Sequence, residues 1–172
     1  YDNLSDEEFL KKVFPKYMGY PLDIENPKTF SEKLQWLKVN YRNPILTVMV
    51  DKHEAKHFIA ERVGSQYIIP TLAVWDSVED IDFDALPNQF VLKSTHDSGG
   101  IVICKDKSSL DIEAAKAKLS ASLKRDYSKI AREWAYQNVP RRIIAEEYIS
   151  ELGKDDLLDY KMYSFHGEPK LT

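Results

Sequence analysis

Two lysines one helical turn apart, a third at the mouth of a glycine-rich loop, and a strand ending in two glutamates are the residues of this sequence best suited to chemistry. Lys52 and Lys56 sit in and beside His53-Glu54-Ala55-Lys56-His57, which satisfies H-E-x-x-H. In that spacing two histidines hold zinc while the glutamate acts as base on a metal-bound water. A helical projection at about 100° per residue groups Ala55, Ile59 and Val63 with Lys52 and Lys56 on the inward face and leaves both histidines at its edge. No Gly-x-x-His follows, and ammonium groups next to the site disfavour a cation. Surface histidines are therefore preferred to a zinc-peptidase site. The lysines are the sharper puzzle, because a charge on an apolar face must snorkel out, pair with a carboxylate or meet an anionic ligand.

Lys93 closes the apolar run Phe90-Val91-Leu92 and leads into Ser94-Thr95-His96-Asp97-Ser98-Gly99-Gly100. A lysine at a strand end beside hydroxyls and glycines can hold a phosphate, since glycine lets backbone N–H groups approach it. The loop matches neither the P-loop spacing nor G-x-G-x-x-G, so a flexible hairpin tip stays open as the plainer reading. Arg142-Ile143-Ile144-Ala145-Glu146-Glu147-Tyr148-Ile149 places two acids and an aromatic on one strand. Acids inside an apolar strand need partners, and an adenosine offers an amino group and ribose hydroxyls. A solvated edge strand would also explain them. Lys161, alternating with Tyr160 and Met162, adds another phosphate contact.

The elements that must position these residues follow from capping and period. Ser5 with Glu8 and Thr29 with Glu32 are capping boxes. The first opens a helix through Phe9, Leu10, Val13 and Phe14 that is expected to end at Pro15. The second opens a helix with a stripe of Phe30, Leu34, Trp36 and Leu37 up to Asn40. A long helical pattern runs from Pro44 to Val63 and stops at Gly64, with Asp51 and Glu54 able to cap a second start inside it. Tyr67-Ile68-Ile69 and Leu72-Ala73-Val74-Trp75 read as short strands, and Phe90–Lys93 with Ile101–Cys104 as a hairpin. Asp111 and Glu113 open a helix through Leu123, and a further helical stretch around Ile130 and Trp134 ends before Pro140. Residues 142–149 then form a buried strand, and 159–165 with 168–171 a last hairpin across His166-Gly167.

Composition narrows the partners. In 172 residues, 43% apolar and 12% aromatic, there is material for one compact domain or two small lobes. A net charge of −4 with both signs interspersed leaves no basic face for a nucleic acid. The longest apolar stretch, Ile68 to Trp75, is interrupted by Pro70 and is too short to span a bilayer. The single cysteine, Cys104, reads as a core residue, and the cytoplasm is the expected compartment. The chain opens on Tyr1 and closes on Lys170-Leu171-Thr172 in a strand-like pattern, so a piece of a longer protein is expected. An unpaired edge in the last hairpin is where self-association would begin.

Taken in order, Asp51 to Lys56, Gln89 to Gly100 and Ile144 to Ile149 resemble the ATP-grasp superfamily. Asn26-Pro27-Lys28-Thr29-Phe30-Ser31-Glu32-Lys33-Leu34-Gln35-Trp36-Leu37, Leu86-Pro87-Asn88-Gln89 and His166-Gly167-Glu168-Pro169-Lys170 resemble, more narrowly, the teichuronopeptide-biosynthesis (TupA-like) family. The resemblance implies an α+β fold: a mainly helical segment over 1–65, an antiparallel nucleotide-binding lobe over 66–149 and the start of a second lobe over 150–172. It implies ATP with Lys52 and Lys93 on its phosphates, Ser94, Thr95, Ser98, Gly99 and Gly100 folding over them, and Lys161 aimed at them. The segment Glu146, Glu147, Tyr148 and Ile149 would read adenine with a backbone carbonyl and N–H along its edge, while a carboxylate from this strand or the following turn would take the ribose. Magnesium would be held by carboxylates beyond residue 172. The implied chemistry is a carboxylate-amine ligation through an acylphosphate in cell-surface polysaccharide assembly, with a carboxylate-bearing acceptor such as a glycan, and this piece alone would be inactive. A non-catalytic nucleotide-binding or assembly module and a glycosyltransferase-like enzyme of the same pathway are the rival readings.

Overall fold

Both capping boxes form. In each, the hydroxyl accepts the N–H of the glutamate three residues on, and the glutamate carboxylate accepts the N–H of the cap residue, satisfying donors that a helix start leaves free. They open α1 (Asp6–Met18) and α2 (Phe30–Asn40) in a computed structural model that describes Tyr1, residues 3–150 and residues 160–171. Contrary to the sequence expectation, α1 runs through Pro15 to a Gly19 cap at φ 78°. The ring withholds one N–H from the carbonyl of Lys11, an exposed residue whose acceptor can turn to water. Leu10 and Phe14 close on Leu22 and Ile24 as a small core.

Between Pro44 and Val63 the chain makes two helices, α3 (Ile45–Val50) and α4 (Glu54–Val63). The break is the work of Asp51, whose carboxylate accepts the N–H groups of His53 at 2.8 Å and Glu54 at 3.4 Å and so starts a second helix. Ile59 and Val63, expected inward, are 44% and 51% exposed. The restarted helix is oriented by polar anchors at its first turns, and these two apolar residues follow passively.

Pairing starts at Thr71. The expected strand at Tyr67–Ile69 is instead a 3-10 turn over Ser65–Tyr67 and an extended link, because Pro70 cannot donate to a ladder. The strands β1 (Thr71–Trp75), β2 (Phe90–Ser94), β3 (Ile101–Cys104) and β4 (Ile143–Glu147) form one sheet in the order β1-β4-β2-β3, with every neighbouring pair antiparallel. β4 is thus an interior strand, not an edge. One sheet face carries Phe90, Leu92, Val102, Cys104, Ile143 and Ala145 into the main core. Leu119 of α5 (Ile112–Leu123, capped by Asp111) and the 76–88 connection cover it. Each of the Val, Leu, Ile and Phe side chains among them contributes about 1.5–3 kcal/mol on burial. Burial also pushes the Cys104 thiol up from its ordinary pKa, as suits an inert core residue.

The helical stretch expected around Ile130 and Trp134 is a single turn, α6 (Tyr127–Ile130), and a 3-10 turn over Trp134–Tyr136. Arg132, at φ 53°, interrupts them. This segment receives the N-terminal helices: Lys38 pairs with Glu133 at 3.3 Å and Trp134 Nε1 donates to the Tyr41 carbonyl at 3.0 Å. The last hairpin, β5 (Tyr163–Phe165) and β6 (Glu168–Leu171), turns at His166 and Gly167, with φ of 51° and 81°, the signs a type I′ turn requires. The rings of Tyr163 and Phe165 lie edge-on to Phe30, each at 6.3 Å. Asp159 and Thr172, where that hairpin was expected to begin and the sequence ends, lie outside the described residues. Among the described residues no helix is long and apolar enough to cross a membrane.

Candidate functional site

Alternation along β2 sends Phe90, Leu92 and Ser94 into the core and Val91 and Lys93 to the opposite face. On that second face Lys93 stands opposite Ile144 and Val91 opposite Glu146, so Glu146 is the diagonal neighbour of Lys93, within reach of long side chains. Lys93 Nζ meets Glu146 Oε2 at 2.5 Å. Lys56, arriving from α4, meets Glu146 Oε1 at 2.5 Å and also donates to the Ile69 carbonyl at 2.8 Å and Thr71 Oγ1 at 2.9 Å. Glu146 is only 3% exposed. Burial alone would push its carboxyl up, but the hydrogen bonds from Lys56 and Lys93 outweigh it and hold the group below the ordinary glutamate range. The Lys56 of the inward-face puzzle therefore pairs with a carboxylate.

Lys52 lies in the link between α3 and α4. Its N–H donates to the Thr95 carbonyl at 3.1 Å and its ammonium donates to the Asp97 carbonyl. Burial lowers its pKa, with the Asp97 charge opposing and the Lys93 charge assisting. The link is fixed from below by Arg142, whose Nη2 reaches Asp51 Oδ2 at 3.0 Å and Glu54 Oε1 at 2.9 Å. Arg142 thus ties the start of α4 to the start of β4. Nothing in the sequence singled out Arg142 or Asp51 as partners, since 91 residues separate them.

The loop after β2 is held internally. The Ser94 and Ser122 hydroxyls lie 2.6 Å apart, and both donate to the Asp97 carboxylate, Ser122 at 2.6 Å. Arg125 stands 3.7 Å from the same carboxylate. Burial would raise Asp97, but the Ser122 and Ser94 hydroxyls and Arg125 bring it below the usual range. Thr95 donates from Oγ1 to the Pro140 carbonyl at 2.6 Å and accepts from the Arg142 N–H at 3.1 Å. The side chains of Ser94 and Thr95, expected on phosphates, are therefore turned into the fold and occupied. Gly100 is demanded by packing: a Cβ there would lie 2.1 Å from Ser122 Oγ and 2.3 Å from Ser94 Oγ. Ser98 and Gly99, at φ 99°, form the exposed tip. Their N–H groups bond to nothing among the described residues.

The second glutamate separates from the first. Glu147 is exposed and lines, with Tyr148, Leu72, Leu86 and Gln89, a groove of about 640 Å³ beyond the end of β4. Its N–H is taken by the Pro70 carbonyl at 3.1 Å. Tyr148 and Ile149 have left the ladder, and their N–H groups bond to nothing among the described residues. Lys161 precedes β5 and is exposed, so the strand expected to carry it begins two residues later. The His53 and His57 rings stand edge to face at 5.1 Å. Burial and the nearby Arg142 charge push His53 below its ordinary pKa. Among the described residues no group of three or more His, Cys, Asp or Glu is placed to hold a metal ion.

What the arrangement offers is two ammonium groups that each keep donors to spare among the described residues, Lys93 on the sheet and Lys52 bonded to the loop after β2, and a loop tip whose N–H groups bond to nothing among those residues. That set suits a polyanion such as a polyphosphate. A family model described as TupA-like ATPgrasp matches residues 32–172. No curated protein and no solved structure matches the chain.

Proposed function

The chain belongs to the TupA-like ATP-grasp family, and from that premise we propose that it is the ATP-binding part of a carboxylate-amine ligase acting in cell-surface polysaccharide or teichuronopeptide assembly. The family's proteins bind ATP, typically with magnesium, and are ligases in general. The helices and antiparallel sheet agree with an ATP-grasp-like α+β fold. The observation that carries the reading is a pair of ammonium groups from different elements with donors to spare, Lys93 on the sheet and Lys52 bonded to the Asp97 carbonyl next to the Ser98-Gly99 tip.

In this reading Lys52 and Lys93 hold the phosphates, and the N–H groups of Ser98 and Gly99 close over them, with Gly100, Ser94 and Thr95 shaping the loop from inside. Tyr148 and Ile149 present backbone groups to adenine, and Lys161 supplies a further cation from the start of the second lobe. The cytoplasm is the proposed compartment, and magnesium is the proposed metal partner of the bound ATP. Bound there, ATP and magnesium would supply the phosphoryl group that activates a substrate carboxylate for ligation to an amine, with ADP and phosphate released. The lysines' part is to position the phosphates and spread the developing charge.

Calorimetric titration with MgATP tests the reading. Saturable binding is expected, weakened at least tenfold in Lys93→Ala, about 1.4 kcal/mol. Equal affinity in the two proteins, both folded, would remove the phosphates from Lys93 and the reading with them.

A further inference from the structure

We propose that Glu146 is the internal counter-anion of the lysine cluster, and that a polyphosphate binds by drawing the Lys93 ammonium away from Glu146 while Lys56 stays in place. This deepens, and rests on, the ATP-binding reading. It assigns Glu146 to the phosphate end of the site and to selection of the ligand's charge, and takes it away from the ribose.

The asymmetry of the two lysines carries the argument. An ammonium has three donors, and Lys56 has three acceptors: Glu146 Oε1, the Ile69 carbonyl and Thr71 Oγ1. It has nothing left to offer. Lys93 has one partner among the described residues, Glu146 Oε2, and two donors unused. Lys52 likewise has one, the Asp97 carbonyl. The carboxylate itself cannot retreat, because β4 is paired on both sides and Lys56 holds its other oxygen. A phosphate oxygen and the Glu146 carboxylate carry the same sign and compete for one ammonium, so the part that moves is the flexible stem of Lys93.

This competition makes the site selective. A single phosphate that draws Lys93 away must compensate for a buried ion pair with one new contact. A chain of phosphates reaching Lys52 as well gains a second cation for the same loss, so the site favours di- and triphosphates over a lone phosphate.

The experiment compares inorganic tripolyphosphate with ATP, by calorimetry, on the wild-type chain and on Glu146→Gln. Glutamine keeps the shape and removes the competing charge, so both ligands are expected to bind the variant at least tenfold more tightly than the wild type. If ATP binds the variant more weakly while tripolyphosphate is unchanged, Glu146 contacts the adenosine and the proposal falls. If the wild type binds and the variant binds neither ligand more tightly, the counter-anion role falls while the ATP-binding reading stands. Failure of the folded wild type to bind either ligand overturns the ATP-binding reading first, and this proposal with it. Should the variant not fold, the lysine ammonium signals of the wild type decide by NMR. Tripolyphosphate is expected to shift Lys93 and leave Lys56 unmoved, and equal shifts of the two would overturn the exchange.

Discussion

His96 shows how a residue placed for one purpose sets a property of the whole site. Its ring is 2% exposed, Nε2 faces the Arg125 carbonyl at 3.2 Å and Nδ1 has no partner among the described residues. Burial pushes it, like His53, below the ordinary histidine value near 6.5. Between the depressed folded value and about 6.5 the unfolded chain binds more protons, so stability rises with pH through that window and levels off above it. Glu146 and Asp97, both held below the usual carboxylate range, contribute stability that is present above about pH 4.5 and lost as pH falls through their folded values. The melting temperature is therefore expected to fall in two stages on acidification from pH 7.5. His96→Gln, which can keep a donor toward Arg125, should reduce the upper stage and leave the lower one, with His53 supplying the remainder; an unchanged profile would mean that His96 titrates alike in the folded and unfolded chain. Such coupling was hidden in the sequence. The lysines announced themselves as charges on apolar patterns, but Glu146, the shared partner of Lys56 and Lys93, lies on β4, and Arg125, the partner of His96, lies just past the end of α5, and no local pattern connects them.

The segment between α3 and α4 is where local signals and tertiary demand meet. Asp51 with Glu54 was visible as a possible restart, and the capping boxes at Ser5 and Thr29 and the turn at His166-Gly167 were readable because each is closed by residues within a few positions of one another. The stripe of α2 was misleading in the other direction. Phe30, Leu34, Trp36 and Leu37 have a helical period, yet each is 39–50% exposed, because period specifies which residues share a face and says nothing of what covers it. Asp51 is the more consequential residue: it caps α4 and, at 1% exposure, neutralises Arg142. Asp51→Ala removes both functions and leaves a half-buried guanidinium short of one partner, so a loss of about 3–5 kcal/mol is expected. Asp51→Asn keeps the capping oxygen and should cost about 1–2 kcal/mol. Denaturant melts of the two variants check this. Equal losses would show that the cap contributes little and that neutralising Arg142 is what Asp51 supplies, whereas no loss in Asp51→Asn would show that the cap alone matters and that Glu54 suffices for Arg142.

At the scale of the molecule, the described residues hold two separate cores, one of four residues under α1 and one of twelve between the sheet and α5. They are joined by polar and ring contacts along 130–136: Lys38 to Glu133, Arg132 to Asp6 at 3.6 Å and its guanidinium over Phe9 at 4.7 Å. α4, although inside the helical segment expected over 1–65, belongs energetically to the sheet through Lys56 and Arg142. The boundary that matters physically therefore falls nearer the end of α2 than residue 65. A small core of four residues, tied on by a few half-buried ion pairs and ring contacts, should open before the larger one does. Phe14→Ala, about 3–5 kcal/mol in a buried site, is expected to split unfolding into two transitions. Helical circular dichroism would be lost first, while the sheet persists and MgATP affinity stays within about twofold, a difference of some 0.4 kcal/mol. A single transition with binding abolished would show that α1 and α2 are part of the site's foundation and that the two cores fold as one.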